Sequence, residues 1–344
     1  MIEIDGSNLK GSGQVIRTAF ALSAITKKDC RFFNINSNEK NPGLTSKQLL
    51  GLKPLTQICN AKIEGNSLGS KEISFYPDKL IENQPSLHIK SEMADSITLS
   101  LQSLILPAIF LPKPLKIAFE GGATDTFFSP TIDYFSQIFL KILEKMGIKT
   151  EVDIIKRGYY PEGGANIEAT IFPSKLKPLN LINRGNLKII KAISGSSESL
   201  KEKKIAERQM AGVREVLGKL KLPTEEKIEY YQTLSPGSQI CLIAEFENTI
   251  IGTDNLGRMG KRPEDVGKEA ALELLKESKN SACLDKHLID QILPFIALSE
   301  GKSRILVSEI TDHSKTIIEI IEKFLNGKFE IKENIISWIP GLAG

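Results

Sequence analysis

The sequence predicts an α/β (α+β) protein in which three repeated β-α-β-α-β-β units form a large domain and a smaller α/β domain is inserted into it. Three observations carry that expectation. Strand-like and helix-like segments alternate along the chain. The same order of segments returns three times, with little residue identity between copies. A stretch from about Asn183 to Lys279 interrupts the third copy with strands and helices of its own. The large domain is therefore assigned to residues 1–182 and 280–344 and the inserted one to 183–279, because insertions are tolerated where a host chain forms a surface loop.

In the first unit, Ile2–Asp5 reads as a short strand, and QVIRTAFALSAIT (Gln14–Thr26) spaces its apolar residues as a helix does. Arg31–Ile35 is a strand, Leu44–Cys59 a helix introduced by Asn41-Pro42-Gly43, and Glu72–Tyr76 a closing strand. The second unit runs from strand Leu87–Lys90 through helix Ser96–Phe110, strand Leu115–Phe119 and helix Pro130–Met146. Strands near Lys149–Ile155 and Ala165–Phe172 end it. In the third, helix Leu284–Leu298, strand Arg304–Val307 and helix Ser314–Leu325 precede strands Lys328–Ile331 and Ile335–Trp338. The interruption holds strand Leu187–Ser194, a charged helix Glu198–Leu217, strands Gln239–Glu247 and Thr249–Gly252, and helix Pro263–Glu277.

Composition excludes several classes. With 41% hydrophobic and 25% charged residues in 344, the chain is neither disordered nor fibrous. The longest apolar stretch, Ile97–Pro112, is broken by Ser100, Gln102, Ser103 and Pro107; it falls short of the ~20 residues of a membrane span and reads as a buried helix, so no membrane partner is expected. The first residues show no basic region followed by an apolar core, so no leader is expected. Cys30, Cys59, Cys241 and Cys283 lie far apart with no C-x-x-C pair, which argues for reduced, buried thiols and a cytoplasmic location. The formal net charge is only +3, so any grip on an anionic polymer has to be local.

A few residues carry candidate chemistry. Gly11-Ser12-Gly13-Gln14 lies between a strand and a helix, with Arg17 one turn inside. Glycines admit an anion to free N–H groups at the helix start, and the guanidinium adds charge; the plainer reading is an ordinary strand–helix turn. His313 follows Thr311-Asp312, a good capping pair, where the positive end of the helix dipole favours a neutral, nucleophilic imidazole; the plainer reading is a surface histidine. His287, Asp290 and Gln291 share one polar helix face while Leu288, Ile289 and Ile292 point away, as either a nucleoside-holding face or a solvated one. Gln102 sits inside an apolar helix, and a buried amide must find partners in backbone or ligand. Glu120–Asp125 and Pro161–Gly164 are glycine-rich turns, and the charged run from Lys201 to Arg208 is a solvated face or an RNA contact.

Together these segments resemble the RNA 3'-terminal phosphate cyclases, archaeal ones above all. The motifs follow in family order: GSGQVIRTA (11–19), NPGL (41–44), SITLSLQ (96–102), GGATDTFFSPTIDY (121–134), KMGIKTEV (145–152), RGYYPEGG (157–164), GKRPEDVGKEAALELL (260–275), DKHLIDQILPFIAL (285–298) and VSEITDHSKT (307–316). The host repeats are also similar to enolpyruvyl transferases, without those enzymes' active-site motif. The resemblance implies ATP and a divalent cation, Mg²⁺ or Mn²⁺, as cofactors and an RNA with a 3'-phosphate end as partner. It implies that His313 takes AMP from ATP, passes it to the RNA phosphate, and that the 2'-OH then displaces AMP to leave a 2',3'-cyclic phosphate. It maps the nucleotide pocket onto Gln102, Pro130, His287, Leu288, Ile289, Asp290 and Gln291, with Gln14 and Arg17 beside the phosphates. His287 stands where some relatives carry Tyr.

The chain also departs from that family. Lys10 stands where relatives have an acidic residue linked to metal and phosphate handling, Asn36 and Glu39 stand where they have arginines, Lys47 replaces a Gln with Gln48 adjacent, and Asp95 replaces a Gly. The departures leave two alternatives beside the full cyclase: a diverged relative that charges His313 but transfers poorly, and a non-catalytic RNA-binding or ribosome-assembly factor. Retention of His313 with Asp290-Gln291 favours the enzyme. Oligomeric state stays open, a homodimer included, and no metal ligand is assigned.

Overall fold

Alternation of buried and exposed residues along short strands decides which sheet faces meet helices. The computed structural model describes residues 1–7, 13–49, 51–82, 86–220, 222–279 and 281–341, leaving aside side chains 46 and 47, and its strands form four four-stranded mixed sheets. In the first, β1 (Ile2–Asp5) leads through α1 (Gly13–Thr26) to a parallel partner, β2 (Cys30–Phe33). Helices α2 (Ser46–Leu49) and α3 (Leu52–Ile58) then lead to antiparallel β3 (Lys62–Glu64) and β4 (Ile73–Tyr76), giving the order β1-β2-β4-β3.

The second sheet follows the same connections. Strand β5 (Ser86–Ser96), helix α4 (Ile97–Ala108) and parallel strand β6 (Leu115–Ala123) come first. Helix α5 (Ile132–Tyr134) continues through a π turn at Phe135–Phe139 into α6 (Leu140–Lys145), and β7 (Thr150–Lys156) and β8 (Asn166–Ile171) complete the order β5-β6-β8-β7. After β9 (Asn180–Leu181) the chain builds another sheet from β10 (Leu187–Ser197), α7 (Ile205–Leu217), β11 (Thr224–Tyr231), β12 (Ser238–Phe246), β13 (Ile250–Leu256) and α8 (Pro263–Glu277), ordered β11-β10-β12-β13. It then returns through α9 (Lys286–Leu298), β14 (Ser303–Leu306), α10 (Asp312–Phe324), β15 (Gly327–Lys332) and β16 (Ile335–Pro340) to a sheet in which β14 lies parallel to β9. Counted from β9, that sheet repeats the strand order and pairing directions of the first two.

Helices α1, α4, α9 and α10 pack against one another. Helix α1 buries Val15, Ile16, Ala19 and Phe20 on several sides at once, as a helix apolar all round must. Strand β12 is covered on both faces: Ile240, Leu242 and Ala244 meet the apolar cluster beneath α7 and α8, while Cys241 and Ile243 join the main core. Helices α7 and α8 approach closely because Gly212 and Gly267 have no side chain; a Cβ on either would stand 1.9 Å from a backbone oxygen of the other helix. All four cysteines are free and buried, and burial pushes the Cys30 and Cys59 thiols up to about 12 and that of Cys283 to about 11. Among the described residues no helix is long and apolar enough to cross a membrane.

Some expected elements differ. The helix expected over Leu44–Cys59 is two short ones. Gly51 breaks it at φ +78°, and a Cβ there would stand 2.9 Å from Ser103 Oγ on α4. The charged helix begins later, at Ile205, after a 3-10 segment over Glu198–Lys203. Strands β3 and β11 were not expected, and β5 runs to Ser96, beyond Lys90.

A buried ionic cluster joins the second sheet to the fourth. Arg157 donates to Asp133 Oδ1 at 2.6 Å and Oδ2 at 2.8 Å, and to Asp125 Oδ2 at 3.3 Å. Its guanidinium lies 4.5 Å from the Tyr231 ring centre. Two carboxylates share one cation, and burial lifts Asp125 from 3.8 to about 6. Above that pH the folded chain holds an ionised carboxylate that burial disfavours; as pH falls through 6 it takes up a proton that the unfolded chain does not yet bind, so this group adds stability toward mild acid. Arg157→Met leaves the carboxylates without their cation and should cost roughly 3–5 kcal/mol at pH 7.5. Denaturant melts should show a smaller loss at pH 5; an equal loss at both would refute the assignment.

Candidate active site

The cleft is built where helix starts meet. Asp285 caps α9: its Oδ1 accepts from the backbone N–H groups of His287 at 3.1 Å and Leu288 at 3.0 Å. The same carboxylate accepts from the Tyr134 hydroxyl at 2.7 Å and from Gly252 N at 3.3 Å. One side chain thus fixes α9 against α5 and against β13. Burial pushes the Asp285 carboxyl up, opposed by these donors and by the nearby His287. Lys286 adds ion pairs to Glu273 and Glu277 of α8.

Thr311 caps α10 by accepting from Ser314 N at 3.1 Å. That sets His313 in the first turn, exposed on the cleft wall, and turns Ser314 Oγ inward to donate to Asp290 Oδ1 at 2.6 Å. Burial raises the Asp290 carboxyl, against the pull of Ser314, His313 and His287. Gln102 of α4 donates to Gln291 Oε1 at 2.5 Å, and Gln291 donates to the His287 carbonyl at 2.8 Å. Arg17, on α1, is buried, and desolvation draws its guanidinium down to about 10, still charged at neutral pH.

These side chains enclose a cleft of about 520 Å³, within the size range of small-molecule sites. Gln14, Arg17, Gln102, Pro130, His287, Asp290, Gln291 and His313 all line it. A smaller recess of about 30 Å³ continues behind Arg17 and Gln102 toward Phe139 and Phe295. Leu288 and Ile289 are placed otherwise: both side chains are fully buried in the main core, so they hold the helix rather than face the cleft. Gly11, Ser12 and Lys10 lie outside the described residues, as does the Lys47 side chain. Glu39 is on an exposed loop. Asn36 and Gln48 are buried and bonded to each other at 3.1 Å, a structural tie. Asp95 accepts from Ser91 Oγ at 2.8 Å.

Asp254 and Phe128 also line the cleft, and sequence reasoning missed both. Asp254 comes from β13 and accepts from Thr131 N at 2.6 Å; burial raises its carboxyl, and that backbone donor opposes the rise. Thr98 Oγ1 holds the Pro130 carbonyl from the other side at 2.9 Å. A lone Asp in a strand gives no sequence signal. The Phe127-Phe128 pair before Pro130 was visible, but apolar pairs usually mark core.

The profile described as RNA 3'-terminal phosphate cyclase matches residues 8–331. The chain belongs to the RNA 3'-terminal phosphate cyclase family. A cyclase of that name from Saccharolobus islandicus is 42% identical over 332 residues, 96% of each chain. One from Pyrococcus abyssi is 41% identical over 331 residues, 96% of this chain and 95% of its own. One from Pyrococcus furiosus is 40% identical over 335 residues, 97% and 96%. An enolpyruvyl transferase from Streptomyces tendae matches 50% of this chain and 33% of its own at 15% identity, with a TM-score of 0.28, too slight a likeness to bear on fold or activity.

The cap is the weak point of the site. Asp285→Ala removes an N-cap and leaves the buried Tyr134 hydroxyl unpaired, so it should cost roughly 2–4 kcal/mol. Amide exchange at His287 and Leu288 should accelerate with it; unchanged exchange there would contradict the capping role.

Proposed function

We propose that this chain is an ATP-dependent RNA 3'-terminal phosphate cyclase working through an adenylylated His313. The observation that carries the reading is the meeting, in one cleft, of His313 with Arg17, Gln14, Gln102, His287, Asp290 and Gln291 in a chain of the cyclase family. An imidazole nitrogen of His313 attacks the α-phosphorus of ATP; the N–P bond forms as the bond to pyrophosphate breaks, and the imidazole gives up its proton. A 3'-phosphate oxygen of the RNA then takes the adenylyl group and frees His313. The neighbouring 2'-oxygen attacks the 3'-phosphorus and AMP leaves with the electron pair of the broken bond, the hydroxyl proton passing to water. A covalent intermediate divides one difficult displacement into easier ones.

The other residues bind and orient. The Arg17 guanidinium, charged and desolvated, faces the phosphates, where an ion–phosphate contact gains strength from burial; Gln14 offers an amide beside it. His287 and Pro130 supply flat faces for adenine. Gln102 spends its amide on Gln291 and keeps its carbonyl oxygen for a base amine. Asp290, held by Ser314, stands beside His313 to orient it. Leu288 and Ile289 serve by anchoring α9.

A divalent cation, Mg²⁺ or Mn²⁺, neutralises phosphate charge in such transfers. Among the described residues no group of three or more His, Cys, Asp or Glu could hold one, so the ion would draw its oxygens mainly from the triphosphate and water. We infer further that the three sheets of like connection order are copies of one unit. The 183–279 segment, with its own apolar cluster under α7 and α8, is then a domain inserted into a host of 1–182 and 280–344. Buried free thiols fit a cytoplasmic location.

Incubation with α-labelled ATP and Mg²⁺ should place label on the protein, and a 3'-phosphate oligonucleotide should then carry it away. His313→Ala should remove labelling entirely; label that persists would disprove the nucleophile. Label held on the protein and never transferred would place the chain with the diverged, transfer-poor relatives. Gln102→Ala should raise the KM for ATP roughly tenfold through one lost base contact, with little change in the KM for RNA.

A further inference from the structure

The loop between β6 and α5 is held at many points. Asp125 Oδ1 accepts from Ile132 N at 3.2 Å, and its Oδ2 accepts from Thr124 Oγ1 at 2.7 Å. Ser129 Oγ donates to the Thr126 carbonyl at 2.8 Å, while Thr98 and Asp254 fix Pro130 and Thr131. At the tip of this rigid loop stands Phe128, with φ +65° and 85% of its surface exposed. A bulky residue in the left-handed region is strained, and such strain gathers at functional sites. A large apolar ring turned to water adds no hydrophobic stabilisation. Folding therefore explains neither the residue nor its conformation.

Its position suggests what it meets. Phe128 forms part of the same cleft wall as Pro130 and His313. Its neighbour Phe127 meets Tyr160 edge-on, ring centres 6.4 Å apart, and Tyr160 is 60% exposed, so the aromatic surface extends along the outside of the loop. Exposed flat rings at a single-stranded nucleic-acid site stack on bases with little regard for sequence. An enzyme that acts on RNA ends in general needs that tolerance. Adenine already has His287 and Pro130; the exposed ring is left for the second nucleoside.

We propose that Phe128 is the stacking platform for the terminal base of the RNA whose 3'-phosphate receives AMP, an assignment that rests on the cyclase reading. The ring holds the terminal nucleoside while its phosphate reaches His313. Stacking on a π-face, rather than a base-edge hydrogen bond, sets the affinity of that end.

An oligonucleotide with a 3'-phosphate and 2-aminopurine as its terminal base tests this. Binding to the wild-type protein should quench the fluorophore, and Phe128→Ala should abolish the quenching and raise the KM for RNA about tenfold or more. Phe128→Trp should retain both, and labelling of His313 from ATP should proceed in each variant with an unchanged KM for ATP. An RNA lacking its terminal base should bind wild type as weakly as Phe128→Ala binds the intact RNA, with no further loss in the variant. Unchanged quenching and RNA KM in Phe128→Ala would overturn the proposal, as would a rise confined to the KM for ATP. A wild-type protein that takes no label from ATP overturns the cyclase reading instead; the quenching titration needs no ATP and then decides the platform by itself.

Discussion

Asp285 receives four donors at once, two from the first turn of α9, one from the Tyr134 hydroxyl and one from Gly252 of β13. A carboxyl group taken out of water is tolerable only when its oxygens are so occupied. Each donor belongs to a different part of the cleft's frame. Residues His287, Asp290 and Gln291 inherit their positions from the capped helix, and Asp254 lies two residues beyond Gly252. The geometry of the nucleotide site is therefore referred to one buried oxygen pair rather than to the average of many apolar contacts.

The Arg157 cluster does comparable work farther out. Asp133 lies in α5, next to Tyr134, while Gln239 and Tyr231 come from the fourth sheet. Apolar packing between that sheet and the host, through Cys241 and Ile243, is non-directional and would tolerate sliding. A bidentate guanidinium–carboxylate pair is not so permissive. The fourth sheet is thus held in register where it delivers Asp254 and Gly252 to the cleft, which gives the interruption of the third unit a part in the site.

Most of the architecture was legible because the helices and central strands carry strong periodicity. Gln102 was legible as a polar intruder in an apolar helix, and the structure gives it a partner in Gln291. Both follow a capping residue, Ser96 or Asp285, by the same interval in SITLSLQ and DKHLIDQ. What escaped was of two kinds. Strand β11, TEEKIEYY, is an edge strand with most of its residues exposed, so it lacks the apolar alternation that marks a strand. The break at Gly51 depends on the close approach of α4, a tertiary fact no local pattern records. Leu288 and Ile289 entered the expected pocket only as members of a continuous motif; helical geometry separates them from the polar face, as burial confirms. Asp254 and Asp285 were illegible for the same reason, since a carboxylate's role lies in donors remote in sequence.

The four thiols have a use beyond packing. A thiol shut away from water and held far from its thiolate form does not react until the structure around it opens. Cys30 and Cys59 lie in the first unit, Cys241 on the face of the fourth sheet turned to the host, and Cys283 just before α9. Each is a silent sensor of one region. The order in which an alkylating reagent reaches them would chart, without any added probe, which part of the molecule loosens first.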